Sequence, residues 1–141
     1  MKAVALFAAF AVAWGGALAA GPLKPPPALD AVRQALARAA AAHDRKGVAA
    51  LIAFPLTLDN YGSPPTLSEA AFLKNGDYFA ILFGGGDPDV LKCIATAPPA
   101  RQLDGKELGA GAWVADCNGN EFIFAQRNGA WRLTAYQNIN E

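Results

Sequence analysis

The stretch AWVADCNGNEFIFAQRNGAWRLTAYQ, residues 112–137, decides the fold. It holds three alternating runs separated by Asn118-Gly119 and Asn128-Gly129. Asn-Gly between such runs signals a two-residue hairpin, because both central residues of a type I′ turn need positive φ. Two of them predict an antiparallel meander of three strands. The turns set the register: Cys117 faces Asn120, Ala115 faces Phe122 and Trp113 faces Phe124. Across the second turn Gln126 faces Trp131, Phe124 faces Leu133 and Phe122 faces Ala135. Strict alternation then collects Trp113, Ala115, Cys117, Phe122, Phe124, Gln126, Trp131 and Leu133 on a core face. Val114, Asp116, Glu121, Ile123, Arg127, Arg132, Thr134 and Tyr136 fall on the other, which reads as mostly wet.

A sheet with one apolar face needs helices across it, and the upstream sequence supplies candidates. The first helix is expected from an Asp30 N-cap to about Asp44. Leu29, Val32, Leu36, Ala39 and His43 form its apolar stripe, and Arg33, Gln34, Ala37 and Arg38 face away. A short second helix buries Val48, Leu51 and Ile52 and stops at Pro55. Leu56–Leu58 alternates as a short strand, and 60–65 is a loop. Thr66 or Ser68 caps a third helix with Leu67, Ala71 and Phe72 inward. Asn75-Gly76 ends it, and a further helical turn runs from Asp77 through Tyr78, Phe79 and Leu82 to the glycines at 84–86. Val90–Ala95 is expected to be a strand carrying Cys93, and 98–105 a polar crossover loop. The class is α+β, with N-terminal helices packed on a curved antiparallel sheet.

The ends and the composition narrow the function. Met1-Lys2, an uncharged apolar run to Trp14 and the small residues of Ala17-Leu18-Ala19 read as a secretory signal over 1–19, cut after Ala19. Residues 20–28 are a proline-rich lead-in, read as an extended tether, and 29–141 a single domain. Export places the protein in the periplasm or outside the cell, with no membrane span after cleavage. The formal net charge is zero, which gives no electrostatic reason to bind nucleic acid. Export also favours a Cys93–Cys117 bridge over two buried thiols. It would close a loop of about 25 residues, worth on the order of 3 kcal/mol. Two cysteines and one histidine without close spacing make no zinc motif, so neither a metal nor a cofactor is expected.

The order of elements resembles the nuclear-transport-factor-two-like superfamily, the cystatin-like cones. The resemblance rests on the helix-break-helix from His43 to Leu56, on Glu69-Ala70-Ala71-Phe72-Leu73, and on the closing strand Asn128-Gly129-Ala130-Trp131-Arg132-Leu133-Thr134-Ala135-Tyr136. It implies a pocket between a concave sheet and the helices. It does not imply one activity, since such folds host isomerases, dehydratases, cyclases and binders.

Enzymes on that scaffold place a titratable group inside the cone, where burial tunes its pKa. The core face of the meander offers only Cys117, Asn120, Gln126 and Gln137. His43 is either a base aimed into the cone or a histidine favoured by the helix end. Asp116 and Glu121 sit opposite one another, either as an acid pair or simply solvated. Asp59, Tyr61, Asp77 and Tyr78 flank loops at the expected mouth. The segment 84–89 is too poor in ligands for a calcium loop and reads as a turn. Trp113, Phe124, Gln126, Trp131 and Tyr78 are the candidate pocket residues. The reading is an exported, non-catalytic binding protein for a small apolar ligand or an envelope protein. A small isomerase- or dehydratase-like enzyme is the alternative. An envelope inhibitor or assembly factor using the outer sheet face is another. A homodimer through Ile123, Arg132 and Tyr136 is compatible with each.

Overall fold

The computed structural model describes residues 24–59, 65–101 and 111–140. The expected signal at 1–19, Tyr61 and parts of the two expected loops lie outside them. Both Asn-Gly pairs turn as their chemistry demands: φ is 56° at Asn118, 83° at Gly119, 52° at Asn128 and 78° at Gly129. They join β4 (Trp113–Cys117), β5 (Asn120–Arg127) and β6 (Ala130–Asn138). Trp113 faces Phe124, Ala115 faces Phe122 and Cys117 faces Asn120. Gln126 faces Trp131 and Phe124 faces Leu133.

Beyond Leu133 the register departs from expectation. Ile123 pairs with Ala135 and Phe122 with Tyr136, because β6 carries one extra residue, Thr134. This is a β-bulge. The Thr134 hydroxyl donates to the Ile123 carbonyl at 3.2 Å, tying the bulged residue to the facing strand. The slip exchanges the faces of everything after it. Tyr136 enters the core beside Phe122 rather than lying on the wet face, and Ala135 joins Ile123 on the opposite side. That second face is not wet at its centre, where Ala112, Val114, Ile123, Ala125 and Ala135 are buried as a small cluster of their own. Ile123 and Tyr136 are both buried, on opposite faces, so they cannot share an interface with Arg132.

The sheet has the order β2-β1-β6-β5-β4-β3, with β1 at Ile52–Asp59, β2 at Thr66–Leu67 and β3 at Ala100–Arg101. It is mixed rather than wholly antiparallel, since β1 runs parallel to β6. Pro55 does not end a helix. It lies inside β1, after a cis Phe54–Pro55 bond. Its missing N–H is tolerated because β1 leaves the ladder there: Ile52 pairs with Leu133, but the next partner on β6, Ala135, meets Thr57. Arg101, expected in a loop, pairs with Trp113 on the other edge of the sheet.

The helices are α1 (Pro27–Ala41), α2 (Arg45–Ala49), α3 (Glu69–Lys74), α4 (Gly76–Phe83) and α5 (Pro88–Thr96). With the mixed sheet they make an α+β fold, the class the sequence predicts. Helix α1 starts earlier than Asp30, with Pro27 at the first position, where an absent N–H costs nothing. It ends in a Schellman motif: the His43 amide donates to Ala40 and the Asp44 amide to Ala39. His43 takes the left-handed position, φ 54°, so it leaves the helix instead of continuing its stripe. Asp44 then caps α2 through the Gly47 amide at 2.9 Å. Ser68 resolves the choice of cap for α3, accepting from Ala71 at 3.2 Å.

Two expectations fail for electrostatic reasons. Val90–Ala95 is helical, because Asp87 accepts from the Asp89 and Val90 amides and Pro88 fills the first position of α5. Arg33 does not face away. It is 2% exposed and donates from Nε to the Ile94 carbonyl at 2.8 Å, with further hydrogen bonds to Ala97 and Asp30. The buried stripe of α1 is thus Leu29, Arg33, Leu36, Ala37 and Ala40. Burial lowers the guanidinium's pKa, and the Asp30 charge opposes that shift. The side chain satisfies carbonyls left open at the end of α5, binding that helix to α1. Cys93 and Cys117 are joined in a disulfide that anchors the other side of α5 to β4.

Candidate functional site

Four residues form a row across the helix-side face: Leu133 on β6, Phe124 on β5, Trp113 on β4 and Arg101 on β3. The next row toward the Asn128 turn is Trp131 beside Gln126. Trp113 and Trp131 therefore share a face, as the hairpin register requires. Phe124 is on the same face but fully buried, at 0% exposure. Lys24 and Pro26, in the segment leading into α1, close one side. The result is a cleft of about 390 Å³ lined by Trp113, Gln126 and Trp131 with Lys24, Pro26 and Arg101 at its edges.

Of the five candidate pocket residues, three meet in this cleft. Phe124 does not line it: alternation puts it on the same face, but it is completely buried in the main core. Tyr78 lies elsewhere, half-buried on α4 against the main core. His43 is exposed, with its ring centroid 5.7 Å from that of Phe79. Asp116 and Glu121 do face one another, but each has its own donor. An Asp116 carboxylate oxygen accepts from the Gly119 amide at 2.8 Å, and Glu121 accepts from the Gln137 side chain. Tyr61 lies outside the described residues.

Lys24 and Arg101 are the cleft residues that sequence patterning does not reveal. Lys24 stands among prolines, and Arg101 belongs to a strand of two residues, too short to show a period. They change the character of the site. Two indoles supply a flat apolar surface, each with one N–H donor. The Gln126 amide donates and accepts. Both charged groups on the lining are positive, and no carboxylate or imidazole lies among its described residues. An organic cation would gain a cation–π contact with the indoles but meet two like charges at the rim. An apolar ring ending in an anion avoids that repulsion.

Among the described residues no group of three or more His, Cys, Asp or Glu side chains is placed to hold a metal ion. None of the described helices is long and apolar enough to cross a membrane. No protein-family model matches the chain, and no curated protein sequence matches it.

Proposed function

We propose that the protein is an exported, non-catalytic binding protein whose cleft takes a small aromatic anion. One observation carries the reading: Trp113, Gln126 and Trp131 meet in a cleft whose charged rim, Lys24 and Arg101, is wholly positive. The ring of the ligand lies against the indoles, the anionic group reaches the rim, and Gln126 fixes its orientation. Apolar contact supplies most of the affinity, and the rim charges select the sign of the ligand. Export draws support from the apolar, basic-started residues at 1–19 and from the Cys93–Cys117 bridge. Helices covering one face of a sheet that ends in the Asn128–Tyr136 strand support the likeness to the nuclear-transport-factor-two-like cones.

The test is a fluorescence titration. In a chain cut after Ala19, Trp113 and Trp131 are the remaining tryptophans. Naphthylacetate quenches them saturably, whereas naphthylmethylammonium, the same ring with a positive end, does not. Arg101→Gln and Lys24→Gln each weaken binding by up to about fivefold, the range of exposed charge pairs. Equal binding of both probes, or of neither, contradicts the proposal.

A further inference from the structure

On the opposite face of the sheet, the parallel seam between β1 and β6 is open. Between its ladder partners Ile52 and Thr57, β1 spends four residues, while between Leu133 and Ala135 β6 spends one. The excess chain bows away at Phe54 and Pro55 and leaves a groove of about 480 Å³. Arg127 and Arg132 both line it. Arg127 is opposite Ala130, and Arg132 is opposite Ala125, so the two are diagonal neighbours on one face. Like charges at such spacing repel unless something compensates them. Neither has an acidic partner among the described residues, and Asp59, on the same face of β1, does not line the groove. Each guanidinium gives one Nη1 hydrogen bond to a carbonyl of the preceding residue, at 3.0 Å for Arg127 and 2.8 Å for Arg132. Those bonds hold the two heads close to the strand and leave other N–H groups of each fork unspent. Asn128 and the exposed Thr57 add neutral donors to the same groove.

We propose that this groove is a second binding site, for the phosphate of a phosphate monoester. One guanidinium fork is enough for a carboxylate, whereas two forks lining one groove suit a tetrahedral dianion with oxygens to spare. Phe54 and Pro55 provide an apolar wall for the esterified group. The site is independent of the tryptophan cleft, which opens on the other face.

The test is an NMR titration of the ¹⁵N-labelled protein with inorganic phosphate and phenyl phosphate, at constant ionic strength held with sodium chloride. The Nε–H resonances of Arg127 and Arg132 and the amides of Thr57 and Asn128 shift saturably with one dissociation constant. Phenyl phosphate binds more tightly than phosphate. Arg127→Gln weakens both by about tenfold, and Arg132→Lys, which keeps the charge but loses the fork, also weakens them. Thermal unfolding confirms that each variant keeps the parent's fold. Sedimentation with phosphatidylcholine vesicles carrying phosphatidic acid then separates the sources. Arginine-dependent sedimentation places the ester on a lipid, and binding of phenyl phosphate without sedimentation places it on a soluble molecule; both support the site. Absence of saturable shifts, or shifts that Arg127→Gln leaves intact, overturns it.

Discussion

Phe122 faces Tyr136 across β5 and β6, with ring centroids 5.3 Å apart, and the Tyr136 hydroxyl donates to the Asn120 carbonyl oxygen Oδ1 at 2.8 Å. The pair exists because of the bulge at Thr134. It puts a large aromatic ring where an unbroken ladder would put Ala135, and so fills the core beneath the helices. Tyr136→Phe keeps the ring and loses the hydrogen bond to Asn120, at a cost of about 1 kcal/mol. Tyr136→Ala leaves a cavity and costs about 3–5 kcal/mol. Urea denaturation of the two variants checks the difference. Near-equal, small losses would mean that Tyr136 lies on the outer face.

Arg33 is expected to be the most sensitive charged residue of the described chain. Arg33→Ala leaves the Ile94 and Ala97 carbonyls without their donors and costs about 3 kcal/mol. Arg33→Lys also destabilises, because an ammonium cannot reproduce the fork. Arg33→Met, which refills the volume without a charge, costs less than Ala. Asp30→Asn changes stability by only about 0.5 kcal/mol, since Asp30 is substantially exposed and such pairs are weak. Denaturation midpoints of the four variants test this order.

The disulfide and Arg33 hold α5 from two directions, toward β4 and toward α1 respectively. Replacing both cysteines by alanine costs about 3 kcal/mol by loop closure. The two supports secure one helix, so their losses combine non-additively. A double-mutant cycle with Arg33→Met, followed by urea denaturation, measures that coupling; strict additivity would mean that the helix is held elsewhere.

The two hairpin glycines differ in their surroundings. At Gly129 nothing lies within 4 Å of an added Cβ, so Gly129→Ala meets only the cost of a left-handed backbone, about 1 kcal/mol. At Gly119 an added Cβ falls on the Asn140 side chain, whose Nδ2 donates to the Asn118 carbonyl at 2.8 Å. Gly119→Ala therefore destabilises more. In an Asn140→Ala background the two glycine substitutions cost the same, which thermal melts of the paired variants test.

The β4–β5 pairing was legible because Asn118-Gly119 fixes a register by itself, and period two then sorts the side chains. The β5–β6 pairing was legible only as far as Leu133. Thr134 is an ordinary strand residue, and no local signal marks it as the extra one. Helix α5 is hidden by Val90, Cys93 and Ile94, which suit a strand, although Asp87-Pro88-Asp89 spells a helix start. The burial of Arg33 is not legible, because charge is a poor guide when a side chain can reach the open end of a neighbouring helix. The parallel β1–β6 pair joins segments far apart in the chain, beyond any local pattern. In the cleft, Trp113, Gln126 and Trp131 followed from alternation, whereas Lys24 and Arg101 lie in short segments with no period. The aromatic half of the cleft could thus be read from the sequence, and its charge could not.

The central claim is that the indoles of Trp113 and Trp131 form one binding surface under a positive rim. The most direct measurement follows the indole N–H resonances of Trp113 and Trp131 while naphthylacetate is added. Both shift along one saturation curve, and Arg101→Gln moves that curve to higher concentration for both together. Indole signals that stay fixed, or that follow two unrelated curves, would contradict the account.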